Sequence, residues 1–202
     1  MPNPTAFGHE NDDVLLVAAV VRGDINAFRK LIIQYEKLVV SIVFKMVTQK
    51  EDSEDICQDV FLKIYEKLPG FRYQSKLSTW IGSIAFNTCV NFVKKRKPLL
   101  LEDLKNPAND DEEFYMAAEV AIKDLSIAPD EQLVNKEMEG LLLRSIESLS
   151  IIQKTVLHLF HHDDFSLQEI SEVTSLPVTT IKSHLFRARK QLKEEMNKYL
   201  NI

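Results

Sequence analysis

The chain has 202 residues, of which 45% are hydrophobic and 27% charged, and its net charge is −5 at pH 7. This length allows one large domain or two small ones. No apolar run approaches the roughly 20 residues that a membrane span needs, and residues 1–13 lack the pattern of a secretory signal. The two cysteines, Cys57 and Cys89, exclude a disulfide framework. We therefore expect a cytoplasmic protein without membrane insertion.

The composition predicts an all-α fold. Glycine is scarce, and no stretch of alternating apolar and polar residues, typical of a β-strand, is bounded by hairpin turn residues. Residues 13–47 predict two helices, either broken at 22–24 or continuous through that segment. An acidic start at 52–55 suits the positive end of a helix dipole and opens the next helix. That helix ends at 69–70, and a polar loop separates it from a helix over about 78–97.

The negative charge is concentrated in the middle of the chain. Residues 99–132 contain ten acids and two bases, which leaves a net charge of +3 on the rest. Residues 94–97 form an unbroken run of four bases, and the segment from 177 onwards has six bases against two acids. We therefore predict an acidic linker over 99–134 and basic patches, suited to phosphates, on both sides of it.

The carboxy-terminal third predicts a helix-turn-helix. Helices are expected over 135–149 and about 151–161, with Ser150 as the N-cap of the second. A capping box at 166–169 opens a short helix, and Pro177 starts the long last one. Two helices joined by a tight turn, the second rich in bases, are typical of proteins that read duplex DNA.

The last helix has two distinct faces. Its apolar stripe should pack on the short helix before it, and the opposite face combines cations with a hydroxyl and an aromatic ring. The predicted DNA contacts on that face are Lys182, Ser183, Phe186, Arg187 and Lys190. A basic surface helix that is merely solvated is the alternative interpretation.

These carboxy-terminal residues carry a resemblance to a known family. Residues 166–173 and 176–189 resemble region four of sigma factors, most closely those of the extracytoplasmic-function (ECF) group. The resemblance implies that the last helix enters the major groove of the minus-thirty-five promoter element. Thr179 stands where the family usually has glycine, and His184 where it often has arginine. We expect both departures to affect which promoter sequence is preferred or how tightly the DNA backbone is bound.

Two amino-terminal segments resemble sigma region two. The first, residues 52–61, implies docking on core RNA polymerase through an acidic and amide-bearing face: Glu54, Asp55, Gln58 and Asp59. The second, residues 71–80 with 84–87, implies capture of the melted minus-ten strand, for which exposed aromatics beside cations are suitable chemistry. Predicted strand contacts are Phe71, Ser75, Lys76 and Asn87, with Lys94, Lys95 and Arg96 as a phosphate track. Trp80 is as readily a core residue as a contact.

The resemblance implies a non-enzymatic sigma factor without a cofactor that directs core RNA polymerase to promoter DNA. The expected organisation is a tail (1–12), region two (13–98), the linker (99–134) and region four (135–202). A separate anti-sigma factor is the expected antagonist. One rival is a helix-turn-helix regulator that binds duplex DNA alone, which leaves the polar loop and the acidic face without a role.

The other rival is a metal-dependent hydrolase. His158 and His162 have a ligand spacing, and His161, Asp163 and Asp164 lie beside them. Since the sequence offers no second cluster, we interpret this segment as a solvated helix end followed by an unusual turn. Both cysteines are interpreted as packed thiols.

Overall fold

The computed structural model describes residues 10–96 and 135–200; the predicted acidic linker lies outside them. The described residues form eight α-helices and no strand, which confirms the all-α prediction. None of these helices combines the length and apolarity that crossing a membrane demands. The helices are α1 Glu10–Val21, α2 Ile25–Met46, α3 Lys50–Lys67, α4 Leu77–Arg96, α5 Asn135–Glu147, α6 Ile151–His161, α7 Leu167–Thr174 and α8 Val178–Leu200, with a short 3-10 turn at Leu68–Gly70.

A turn at 22–24 separates the first two helices, as one of the two predicted alternatives required. Gly23 has a φ of +90°, a conformation that is costly for other residues. Asp24 follows as the N-cap of α2, and its carboxylate accepts hydrogen bonds from the amides of Asn26 and Ala27. Asp13 on α1 accepts a hydrogen bond from the hydroxyl of buried Tyr35 at 2.9 Å, which ties α1 to α2.

The amino-terminal block, residues 10–96, packs α1, α3 and α4 around α2. The helix α3 begins at Lys50, two residues before the predicted start, and its N-cap Gln49 makes no side-chain capping bond. Its buried face includes Ile56, Val60 and Ile64, as the three- and four-residue spacing predicts. The rest of the block therefore holds α3 through packing rather than through a local cap.

The carboxy-terminal block, residues 135–200, has strong local helix signals. Ser150 forms a full capping box with Gln153, and Ser166 forms one with Glu169. Ser175 ends α7 in the left-handed conformation and turns the chain into α8. Both predicted caps and the helix-turn-helix are therefore confirmed.

The two blocks pack against each other and share one continuous apolar core. A Cβ built on Gly82 of α4 would lie 3.1 Å from Cγ2 of Val173 on α7, so the two helices meet at a close approach that glycine allows. Lys76 also pairs with Glu169 at 2.8 Å. Ser41 donates a hydrogen bond to Asp163 at 3.1 Å. We call these contacts the inter-block interface.

Candidate nucleic-acid and polymerase interfaces

The outer face of α8 presents most of the predicted duplex contacts. Arg187 and Lys190 are exposed, and Lys182 and Phe186 are half-buried. These side chains combine a guanidinium able to read guanine, two ammonium groups for phosphates and an apolar ring. The face therefore has the chemistry of a major-groove reader.

Ser183 does not share that face. It is 2% exposed, and its hydroxyl donates to the backbone carbonyl of Thr179 at 3.1 Å. In this structure its hydroxyl is turned into the block, because Ser183 lies beside the buried stripe of Ile181 and Leu185. Ser183 is therefore not placed to meet a base edge, in contrast to the sequence prediction.

The end of α6 supports α8 through Arg189. Its guanidinium lies 2.9 Å from Nε2 of His161 and 5.6 Å from the ring centroid of Phe160. Burial, together with the positive charge of Arg189, lowers the pKa of His161. A neutral imidazole accepts the guanidinium hydrogen bond, and this contact joins the end of α6 to α8.

Two departures from the family pattern have clear positions. Thr179 is exposed at the start of α8, where it faces the same side as the duplex contacts, whereas His184 is buried. Asp164, just after the end of α6, has a φ of +55°, the left-handed conformation that favours glycine. The predicted unusual turn is confirmed.

The loop after α3 presents aromatic rings on a buried platform. Phe71 is only 9% exposed, and its ring centroid lies 4.8 Å from that of Tyr73 and 5.1 Å from that of Trp80. Tyr73 is 49% exposed. The predicted contact Phe71 is thus mainly a support, and Tyr73 is the ring that a base can reach. Sequence reasoning named Tyr73 only as part of the loop, although its polar neighbours Arg72 and Gln74 pointed to exposure.

The other predicted strand contacts surround this loop. The side chain of Lys76 is 61% exposed. Asn87 is exposed on α4, and Ser75 is half-buried. Trp80 is half-buried and packs on the core, so it serves the platform more than the surface. Together they form a cationic and polar rim next to an accessible aromatic ring.

The basic run ends α4. Lys94, Lys95 and Arg96 are exposed. Arg96 pairs with Asp52, donates to Gln49 at 3.2 Å and lies over the ring of Phe92. Arg96 is therefore anchored to the start of α3. The exposed ammonium groups of Lys94 and Lys95 are better placed than Arg96 to bind the phosphates of a DNA backbone.

The predicted polymerase face lies on α3. Glu54, Asp55, Gln58 and Asp59 are all exposed, opposite the buried stripe of this helix. Glu54 makes a 3.8 Å pair with Lys50 along the helix. Three carboxylates and an amide on one exposed face suit an arginine-rich helix of a partner.

The histidine and aspartate cluster is only partly the solvated helix end that the sequence predicts, because His161, His162 and Asp164 are exposed whereas Asp163 is buried. Asp163 is 7% exposed because the end of α6 docks on α2. Potential ligand atoms of His158, His162 and Asp163 lie within 4.8 Å of one another. Both oxygens of Asp163 are already engaged, one by His162 at 3.1 Å and one by Ser41. The cluster therefore serves as a contact between the two blocks.

Both cysteines are packed thiols, as predicted. Cys89 is buried and Cys57 is half-buried, and both are free. Burial raises the pKa of Cys89 to about 12, and burial together with the charge of Glu54 raises the pKa of Cys57 to about 11. Neither thiol is a ready nucleophile near pH 7.

Comparisons with known proteins match both blocks. The family model for Sigma-70 region 2 matches residues 31–98, and the model for Sigma-70, region 4 matches residues 139–192. The RNA polymerase sigma-H factor of Pseudomonas aeruginosa is 30% identical over 193 residues, which cover 95% of this chain and 97% of that protein. The ECF RNA polymerase sigma-E factor of Escherichia coli is 32% identical over 185 residues, 89% of this chain and 92% of that protein.

A solved structure shares the fold. The sigma factor RpoE from Bartonella quintana, in complex with the anti-sigma factor NepR, superimposes with a TM-score of 0.60 at 18% identity, over 86% of this chain and 98% of that one. The superposition extends over both helical blocks.

Proposed function

The chain belongs to the sigma-70 family, in its ECF group, and we propose that it directs core RNA polymerase to promoters by binding duplex minus-thirty-five DNA and the melted minus-ten strand. The observation that carries this proposal is the presence of three different surfaces on one chain. One suits polymerase, one suits paired DNA and one suits an unpaired strand.

The exposed face of α8 supports the duplex role. Arg187 and Lys190 lie on the solvent side of a helix whose opposite side is fully packed. Such a helix lies in the major groove without unfolding any part of its block.

The aromatic loop supports the strand role. Extruding a base from the duplex costs a few kcal/mol, and stacking on an aromatic ring returns about 1–3 kcal/mol per base. Tyr73 is accessible for stacking, and the buried ring of Phe71 holds it in place. Binding of the opened strand can therefore offset the cost of melting.

Polymerase and an antagonist complete the proposal. The acidic face of α3 is free to dock on the enzyme, and promoters and polymerase meet in the cytoplasm, where we place the protein. A related fold has been solved with an anti-sigma factor bound. We therefore include a separate anti-sigma factor among the partners of this chain.

Run-off transcription with core polymerase tests the proposed function. We expect transcripts from cognate promoters with the parent chain, and a loss of roughly 5- to 150-fold with Arg187→Ala, since a base contact of this kind contributes about 1–3 kcal/mol. Ser183→Ala is the matched control and should transcribe as the parent does, because Ser183 is buried. A parent chain that binds polymerase but starts no RNA would overturn the proposal.

The polymerase face has its own test. Replacing Asp55 and Asp59 together by alanine should weaken binding to core polymerase while leaving duplex affinity unchanged, because both carboxylates lie on α3, away from α8. Sedimentation or interferometry with core polymerase measures the first quantity and fluorescence anisotropy with duplex DNA the second. Equal affinity of the variant and the parent for polymerase would contradict this assignment.

A further inference from the structure

We propose that His158, His162 and Asp163 form a binding site for a divalent transition-metal ion such as Zn²⁺ at the carboxy-terminal end of α6. Two imidazole nitrogens and one carboxylate oxygen supply the ligands. The inference goes beyond the proposed function, because promoter recognition as proposed above needs no metal. Its observations are the convergence of the three groups and a buried ring nitrogen that lacks a hydrogen-bond partner among the described residues.

The three ligand groups converge where α6 ends. Potential ligand atoms, one from each residue, lie within 4.8 Å of one another. Nδ1 of His162 is 3.1 Å from Oδ1 of Asp163, and Nε2 of His158 is 3.9 Å from Oδ2 of the same carboxylate. Ligands of a tetrahedral zinc ion lie about 3.3 Å apart, since zinc bonds to nitrogen and oxygen are about 2.0–2.2 Å long. Small side-chain rotations therefore bring the three atoms onto one ion.

One short segment of backbone carries all three ligands. The rings of His158 and His162 are stacked, with their centroids 4.3 Å apart and their planes inclined by 16°. The amides of His162 and Asp163 both donate to the backbone carbonyl of His158, at 2.8 Å and 3.2 Å, so hydrogen bonds continue from α6 up to the carboxylate. The partial negative charge at the carboxy-terminal end of a helix also favours a bound cation.

Nε2 of His158 is the atom that most directly points to an ion. It is buried and has no hydrogen-bond partner in the described part of the chain. Buried polar atoms ordinarily have a partner, because an unpaired one gives up water without compensation. Burial lowers the pKa of His158; the carboxylate of Asp163 opposes this shift, and the charges of His162 and Lys45 add to it. The ring is therefore neutral near pH 7, as a metal ligand must be.

Asp163 is oriented by a residue of α2. It is buried, and its Oδ2 accepts a hydrogen bond from the hydroxyl of Ser41 at 3.1 Å. Hydrogen bonds of this kind orient the ligands of metal sites. Each carboxylate oxygen has two lone pairs, so the bond from Ser41 is compatible with a bound ion. At Oδ1 the contact with His162 is exchanged for the metal, and His162 takes the tautomer whose proton is on Nε2.

The ligand types determine which ions fit. Imidazole suits zinc, copper and nickel, whereas Mg²⁺ and Ca²⁺ prefer sites made of oxygen atoms. Three protein ligands leave at least one position of the ion to water. Lys45, in the last turn of α2, places a positive charge near His158 and therefore opposes binding of any cation.

Competition with a chromophoric zinc indicator measures the affinity of the untagged full chain after treatment with a chelator. We expect one zinc ion per parent chain, which excess Mg²⁺ does not displace. His162→Gln changes a side chain that is 71% exposed, so the fold should persist. It should weaken binding by about 10-fold or more, because changing even an outer partner of a metal ligand costs about 10- to 100-fold. Asp163→Asn keeps the size of the side chain and should have a similar effect.

Neighbouring residues of the same types provide matched controls. His161→Gln and Asp164→Asn change exposed side chains beside the ligands and should bind zinc as the parent does. Lys45→Gln should raise the affinity roughly two- to five-fold, the range expected for one partly exposed charge. Such a gain cannot come from misfolding. Circular dichroism checks that every variant retains its helices.

Amide hydrogen exchange at the end of α6 is the second readout. With zinc at about 100 times its dissociation constant, local opening should be suppressed about 100-fold in the parent and in both controls, but much less in His162→Gln. A parent that binds no zinc, or ligand variants that keep the parental affinity, would overturn the site. Neither result would affect the proposed function, because run-off transcription by the parent tests that function separately.

Discussion

The two blocks hold their DNA surfaces in place by different means. In the carboxy-terminal block, α8 follows a capped helix and a left-handed turn, so residues adjacent in sequence determine where the reading helix begins. In the amino-terminal block, the aromatic loop depends on rings that pack together and on a helix whose N-cap makes no side-chain bond. A rigid helix suits duplex DNA, whereas an exposed ring on a buried support suits a single base.

This difference also explains which features the sequence could predict. The caps at Ser150 and Ser166 are local signals, and the structure has both where they were expected. Gln49 offers no such signal, and α3 begins two residues before the start that the acidic segment predicts. Phe71 and Tyr73 are both aromatic residues in one loop, and only the packing against Trp80 decides which of them is buried.

The inter-block contacts could not be predicted from sequence. Gly82 and Val173 are far apart in the chain, and nothing in either local pattern indicates that they meet. For the same reason Asp163 was expected in solvent but is buried against α2. The helical angle predicts Ser183 on the outer face of α8, yet the residue is buried and its hydroxyl donates to the backbone carbonyl of Thr179.

The largest effect should come from the support of the aromatic loop. Phe71→Ala removes a packed ring and should lower the free energy of unfolding of the amino-terminal block by about 3 kcal/mol. Phe71→Leu keeps an apolar side chain and should cost about 1 kcal/mol. Urea unfolding followed by the fluorescence of Trp80, the only tryptophan, measures both. An Ala variant as stable as the parent would show that Phe71 is no platform and would remove the contrast between the blocks.

Tyr73 should show the opposite behaviour, with a functional effect and little effect on stability. Tyr73→Ala removes an exposed ring and should weaken binding of a minus-ten single strand by about 1–3 kcal/mol, or roughly 5- to 150-fold. Duplex affinity should stay unchanged, because α8 carries that function. Fluorescence anisotropy with the two kinds of DNA measures this. Equal losses on both would mean that the two surfaces do not have separate roles.

The capping difference predicts an effect of intermediate size. Ser150→Ala deletes the side-chain oxygen that accepts from the amide of Gln153 and should destabilise the carboxy-terminal block by about 1 kcal/mol. Gln49→Ala makes the corresponding change at the start of α3 and should cost less than about 0.5 kcal/mol, since no cap is lost. Amide hydrogen exchange in α6 and α3 resolves the two blocks. A larger loss for Gln49→Ala would reverse the comparison.

The smallest effect should be the pH dependence of stability, which we expect mainly in the carboxy-terminal block. Burial, and for His161 also the charge of Arg189, lowers the pKa of His161 and of His158, although Asp163 partly offsets the shift at His158. The unfolded chain titrates near the ordinary histidine value of about 6.5, so below that pH it binds more protons than the folded chain does. Stability should therefore be highest above about pH 7 and decline as the pH falls through 6.5 towards the folded pKa values. His161→Gln retains an acceptor for Arg189 but does not titrate, so hydrogen exchange in α6 and α8 at pH 7.5 and 5.5 should show a weaker pH dependence than in the parent. An unchanged dependence would show that the contact between His161 and Arg189 does not sense protons, and that the rigidity of the reading helix comes from its caps and apolar stripe alone.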